Sequence, residues 1–205
     1  MYTPANFEEK NIDVMIDFIK AYPFAAIVTH GENGLSAEHL PIFIDADSQG
    51  KLVLQAHIAT ANPLWKVIKD GEPVLVIFQG PNSYITPNWF PSKAKDHKVV
   101  PTWNYTAVHA KGTISFIHES EWKMLLLDKL TSAHEQKQAT PWAMSDAPED
   151  FIKKLMPAIV GIEVGVDDLQ AKFKLSQNQS SENRSGVVRG LKSINHEMAY
   201  LMGEP

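Results

Sequence analysis

Residues 83–112 read SYITPNWFPSKAKDHKVVPTWNYTAVHAKG. Tyr84, Trp89 and Phe90 precede a loop carrying Lys93, Lys95, His97 and Lys98; Trp103, Asn104 and Tyr105 then enter a strand. From Trp103 to Ile117 the two sides of that strand differ with period two. Trp103, Tyr105, Ala107, His109 and Lys111 share one side; Asn104, Thr106, Val108, Ala110 and Gly112 share the other. An ordinary core strand is built of branched aliphatics, not of a Trp-Asn-Tyr run beside four cations. Flat rings flanked by cations suit a planar, anionic ligand, the rings offering stacking faces and the cations neutralising a phosphate.

Outward from this strand, short apolar runs alternate with turn signals. Phe24–His30 reads as a buried strand, residues 31–34 (GENG) as a turn, Leu35–Asp45 as a second strand and Lys51–Ile58 as a third. Val74–Gln79 and Ser83–Pro87 follow as strands, and Ile159–Val166 and Leu169–Leu175 as the last two. Helical spacing predicts helices over Phe7–Ala21, with Asn6 as cap, over Glu119–Glu135, over Asp150–Leu155 and over Ser180–Lys192. The tail from Ser193 carries little signal, and its His196-Glu197-Met198 reads as a surface segment. Strands and helices do not alternate as βαβ units, and neither GxGxxG nor GxxxxGK[ST] occurs. The expected fold is mainly β with peripheral helices (α+β), an antiparallel barrel. It is one domain over residues 1–205, with helical additions at about 119–156 and 180–192.

Composition narrows the function. With 44% apolar residues in 205, the chain can bury one sizeable core. Its formal net charge of −5 gives no global field to draw in nucleic acid. The absence of cysteine removes disulfides, thiol catalysis and Cys-based metal centres. The eight histidines show no HxH or HExxH spacing, and no GxSxG is present. The first residues lack a basic and apolar leader, and no apolar run is long enough to span a bilayer, so a cytoplasmic protein is expected.

Four segments carry candidate chemistry, each with a plainer reading beside it. In residues 57–66, HIATANPLWK, a strand ends at His57. Thr60, Ala61 and Asn62 form a turn rich in donors, and a helix bearing Lys66 begins. This is either a phosphate cradle or a capped helix after a strand. Glu38, His39 and Leu40 interrupt an apolar strand and either line a site or face solvent on an edge strand, which Pro41 would permit. Lys93 is anchored by the aromatics before it, whereas Lys95 and Lys98 read as a solvated loop. Lys174, Gln177 and Asn178 end a strand ahead of a helix bearing Arg184, which suits an anion or a well-capped helix equally.

Taken in order, MYTPANFEE, EHLP, AHIATANPLWK, YITPNWFPSK, VPTWNYTAVHAKG and KLSQNQSSENRSGVVRGL resemble the PaiB-type FMN-binding proteins, often labelled negative regulators of transcription. The resemblance spans nearly the whole chain. It implies a split β-barrel of the FMN-binding type, a homodimer, and FMN, a small planar phosphorylated ligand, in a cleft between subunits. By that resemblance His57, Thr60, Ala61 and Asn62 lie near the phosphate and Glu38, His39 and Leu40 run past the ring edge. Trp103, Asn104 and Tyr105 come from the partner subunit or shape the interface, and Lys174, Gln177, Asn178 and Arg184 form a second polar cluster. No catalytic residue carries over, so a flavin-dependent oxidoreductase activity is left open. Two competing functions remain: a direct DNA-binding repressor, which the acidic charge disfavours, and a binder of another planar anion, a deazaflavin or haem, with His39, His57 or His109 as axial ligand if haem is bound.

Overall fold

Alternation along the strands and the spacing of small residues decide where each element packs. The computed structural model describes residues 1–203. In chain order the strands and α-helices are β1 (Glu8–Glu9), α1 (Ile12–Ala21), β2 (Phe24–Gly31), β3 (Gly34–Pro41), β4 (Phe43–Ala46), β5 (Leu52–Ala59), α2 (Leu64–Val67) and β6 (Pro73–Ile85). They continue with α3 (Lys93–Asp96), β7 (Thr102–Ile117), α4 (Ser120–Glu135), α5 (Glu149–Leu155), β8 (Ile159–Lys174), α6 (Ser181–Ser193) and α7 (Met198–Leu201). The strand order is β3-β2-β6-β7-β8-β5-β4, with β1 pairing β8. The pairs β1–β8, β2–β3, β2–β6, β4–β5 and β5–β8 are all antiparallel. Mainly antiparallel β with peripheral helices is therefore the observed class.

The chain forms two compact units. Among the described residues, the first comprises 1–18, 79–109 and 170–203, the second 19–78 and 110–169. No helix among the described residues is long and apolar enough to cross a membrane.

In the second unit the core is written by β2, β5, β6 and β8. Ile27, Leu54, Ala56, Ile58, Val76, Ile162 and Val164 are all buried. Two glycines permit its closest approaches. A Cβ at Gly112 of β7 would stand 2.2 Å from the Gly165 carbonyl oxygen of β8. One at Gly161 would stand 2.3 Å from the Trp122 ring of α4. Helix α4 is also held through Lys123, buried along its stem, whose Nζ donates to the carbonyls of Met156 (2.8 Å) and Ile159 (3.1 Å).

In the first unit Ile85, Phe90, Val187, Val188, Leu191 and Met198 form one buried cluster. Helix α6 reaches it because Gly186 and Gly190 leave room for Trp89. A Cβ at Gly186 would lie 2.1 Å from the Trp89 carbonyl oxygen, and one at Gly190 2.2 Å from its indole.

Several expected elements differ in the structure. The helix expected over Phe7–Ala21 starts only at Ile12, because Glu8 and Glu9 pair as a strand opposite Lys172 and Ala171. Glu8 there faces a cation, a favourable cross-strand pair. Asn11, not Asn6, caps the helix, its Oδ1 accepting from the Asp13 N–H at 2.9 Å. The strand expected over Leu35–Asp45 is broken at Ile42, whose N–H turns to the Pro23 carbonyl (2.9 Å); β4 then pairs with β5. Conversely, the pair of strands expected before Pro87 is one strand, β6, running through Gly80 and Pro81, and the last two are one strand, β8. The segment His196-Glu197-Met198, expected on the surface, leads into α7, and Met198, Ala199 and Met202 are buried in the cluster of the first unit. Residues 204–205 of the tail lie outside the described residues.

Candidate functional site

The second unit contains a cavity of about 610 Å³. Thr29, Ser36 and Glu38 of the β2–β3 hairpin line one part of it, and Asn62, Lys66 and Lys69 another. Leu35, Leu64, Val67 and Ile68 add apolar wall. The register that opposes Glu38 to Ile27 places that carboxylate in β3, and the chain reversal after β5 brings Asn62, Pro63 and Leu64 to the same cavity.

The bend is rigid by virtue of its own hydrogen bonds. The Thr60 N–H donates to the Ala158 carbonyl (2.8 Å) and its hydroxyl to the Pro157 carbonyl (2.8 Å). The Asn62 N–H donates to the Ala59 carbonyl (2.9 Å), and Asn62 Oδ1 accepts from the Leu64 N–H (2.9 Å). Trp65 Nε1 closes the turn on the Thr60 carbonyl at 3.0 Å. Thr60 thus spends both donors inside the fold. Among the described residues, the donors this segment leaves at the cavity are Asn62 Nδ2 and the exposed Lys66, whose Nζ rides 5.0 Å over the Trp65 ring; Thr60 and Ala61 do not line it.

The other candidates fall in different places. His57 is in β5 directly opposite Gly161, so the two share a face, and on that face the space above Gly161 is filled by Trp122. Its Nδ1 is buried without a partner among the described residues, and burial holds the imidazole below its ordinary pKa. His39 is exposed, its ring 6.2 Å from that of Phe24, and Leu40 pairs with Ala25. None of these three lines the cavity.

In the first unit, β7 and the end of β8 bring two expected groups together. Asn104 is fully buried and donates through Nδ2 to Ser176 Oγ at 2.9 Å. Lys174 Nζ donates to Thr102 Oγ1 at 2.5 Å. Gln177 folds back on its own strand end, Oε1 accepting from the Leu175 N–H (2.6 Å) and Nε2 donating to the Phe173 carbonyl. Trp103 is 54% exposed and meets Tyr84 edge-on at 6.0 Å. Tyr105 lies under Lys172 Nζ at 5.2 Å. Lys93 is held to Asn88 Oδ1, and Asn178 is exposed. Arg184 donates through Nη2 to the Met202 carbonyl, while its Nε is buried without a partner among the described residues.

Sequence reasoning passed over Thr29, Ser36 and Lys69, which line the cavity, and Ser176, which holds Asn104. Ser176 has a left-handed backbone, φ 60°, which nothing in its neighbours announces. Lys69 was legible only as the continuation of the short helix bearing Lys66.

Comparison with known proteins places this architecture. A family model described as "Putative FMN-binding domain" matches residues 1–168. The chain is 30% identical over 207 residues to the Bacillus subtilis protein named "Protease synthase and sporulation protein PAI 2", covering 100% of this chain and 95% of that one. It is 33% identical over 229 residues to an uncharacterised protein of Emericella nidulans, covering 95% and 91%. Among solved structures it resembles the FAD and haem binding protein of Mycobacterium smegmatis, with a TM-score of 0.60, 16% identity, and 82% and 73% of the two chains covered. It also resembles the flavocytochrome Anf3 of Azotobacter vinelandii, with a TM-score of 0.57, 10% identity, and 82% and 69% covered. At those identities the structural likeness speaks to fold alone, and it agrees with the split-barrel expectation. The match over most of the sequence, together with full-length similarity to PAI 2, shows that this chain belongs to the PaiB-type FMN-binding domain family.

Proposed function

We propose that the protein is an FMN-binding flavoprotein whose cavity in the second unit receives the cofactor. The observation that carries this reading is the convergence of Glu38 with Asn62 and Lys66 on one cavity. The donor set fits the group. Lys66, Lys69 and Asn62 Nδ2 are suited to a phosphate, since charge-assisted bonds to such oxygens are the strong ones. Glu38 can accept from the imide N–H of a flavin ring, and Leu35, Leu64 and Val67 can cover its apolar edge. The hydrogen bonds of Thr60 to Pro157 and Ala158 make it a residue that shapes the bend rather than a ligand. FMN when bound supplies one- and two-electron redox chemistry, and the protein supplies position and electrostatics.

The resemblance's second element, a homodimer with the cofactor between subunits, is supported by the exposed ring pair Tyr84 and Trp103. Two adjoining exposed rings offer an apolar face of the kind that interfaces use. A second copy is the proposed cover, with Trp103 and Tyr105 contributing to its partner's flavin site and Lys93 and Lys174 at the rim.

For transcription we propose an indirect effect, through flavin state, rather than direct DNA reading. The net charge is −5, and of the cations on α6, Arg184 is turned inward to Met202. A steep salt-dependent gel shift on promoter DNA would reverse this. The decisive test of the main reading is an FMN titration followed by absorbance and fluorescence. Saturable binding with flavin quenching is expected, and no binding at micromolar FMN would defeat it. The same spectrum separates haem, whose Soret band a histidine-ligated site would show.

A further inference from the structure

The first unit holds a cavity of its own, about 400 Å³, which the FMN reading leaves unused. Its walls are apolar rings and aliphatics: Phe7, Val14, Phe18, Phe173, Leu175 and Leu201. Phe18 and Phe173 pack against each other, ring centroids 5.2 Å apart and tilted by 39°. Opposite charges are set into this apolar lining. Arg184 contributes a guanidinium whose Nη2 is tied to the Met202 carbonyl and whose Nε is buried with no partner among the described residues. That Nε–H is a buried donor left unspent, and leaving a buried donor unmade costs free energy. Glu8 and Glu9 also line the cavity. Glu8 is engaged by Lys10 at 3.2 Å. Half-buried Glu9 gives one oxygen to the Asn11 N–H at 2.7 Å and keeps the other.

We infer that this cavity binds a small zwitterion with an apolar body, an α-amino acid of the phenylalanine or leucine type. Its carboxylate would be held by Arg184 and its ammonium by Glu9. Arginine's planar fork matches a carboxylate, and partial burial among apolar side chains strengthens both contacts. The volume suits one such molecule between the Phe18–Phe173 pair and the aliphatic wall. A cavity meant only for an apolar guest would not set a guanidinium and two carboxylates into its lining, and one meant for a simple anion would not carry the carboxylates. The inference does not rest on the flavin reading, since no residue of this cavity lines the other.

Calorimetry and thermal-shift titrations with L-phenylalanine and L-leucine test it on the full chain, in the presence and absence of FMN. Phenylacetate, lacking the ammonium, and phenethylamine, lacking the carboxylate, serve as half-probes. Saturable binding of an amino acid is expected, at least tenfold tighter than either half-probe. Arg184→Gln should remove the response to phenylacetate. Because Arg184 also holds Met202, Glu9→Gln is the independent variant: it keeps the acceptor for Asn11 while weakening phenylalanine tenfold and leaving phenylacetate unchanged. FMN binding should persist in both variants. No heat and no thermal shift with millimolar amino acid would overturn the inference. So would equal binding to wild type and both variants, or competition between phenylalanine and FMN for one site.

Discussion

At the scale of single residues, Asn62 and His57 make the sharpest claims. Asn62 Oδ1 is committed to the Leu64 N–H, whereas Nδ2 has no hydrogen-bond partner among the described residues, and Asn62 lines the cavity. Asn62→Ala should therefore weaken FMN by about 1–3 kcal/mol, the worth of a charge-assisted bond lost from a desolvated phosphate, while riboflavin, which lacks the phosphate, changes little. Paired titrations with the two flavins check this, and equal weakening would move the phosphate elsewhere. His57 makes a different prediction, about stability. Burial disfavours its imidazolium, so its folded pKa lies below the ordinary 6.5. Above that value both folded and unfolded chains carry it neutral, and its contribution is complete. As pH falls from 6.5 through the folded pKa, the unfolded chain takes the proton first, and stability is lost. Melting temperature should decline over that acidic window in the wild type, and the decline should be shallower in His57→Gln. Identical pH profiles would show that another group drives the loss.

At the scale of elements, glycines decide how α6 meets the aromatic segment before it. Replacing Gly186 by alanine gains about 1 kcal/mol of intrinsic helix propensity. The new Cβ would lie 2.1 Å from a backbone carbonyl oxygen and 2.8 Å from Pro91, neither of which can rotate away. Overpacking of this kind costs about 1–3 kcal/mol or more, so the clash should win and Gly186→Ala should be less stable in urea unfolding. A more stable variant would mean that α6 can slide. The motif read as SENRSGVVRGL shows the helix and its Ser180 cap, whose hydroxyl accepts from the Asn183 N–H. It does not show that its glycines serve Trp89, because that contact joins residues about a hundred positions apart. The same limit explains the other differences. Period two in β7 was legible because alternation is local: Trp103 and Lys111 are exposed while Asn104, Val108 and Ala110 are buried. The pairing of Glu8 and Glu9 with β8, and the burial of Met198 and Met202, depend on partners far away in sequence. A polar pair and a short tail carry no local sign of them. Within the candidate site, Asn62, Lys66 and Glu38 were legible as polar residues in apolar surroundings. Thr29 and Ser36 were not, since hydroxyls are commonplace on a hairpin.

At the scale of the whole molecule, the exposed Trp103–Tyr84 pair and the FMN site make linked predictions. If a second copy covers these rings, light scattering should give twice the chain mass, and Trp103→Asp should shift the population toward monomer, because burying an unpaired carboxylate in an interface is costly. A monomeric wild type would remove the partner from the proposed site. Ligand linkage then separates the cofactor from the assembly. Any molecule that binds only the folded state stabilises it, by about 2.7 kcal/mol at a hundredfold excess over its dissociation constant. For a chain of this length that amounts to a rise in melting temperature of roughly 5–10 °C. FMN should produce this rise in wild type at both low and high protein concentration. In Trp103→Asp the rise should shrink if the partner's ring completes the flavin site, and persist in full if the cavity of Glu38, Asn62 and Lys66 suffices in a single subunit. A wild-type melting temperature indifferent to FMN would mean that membership of the family has not carried the cofactor with it, whatever the shape of the cavity.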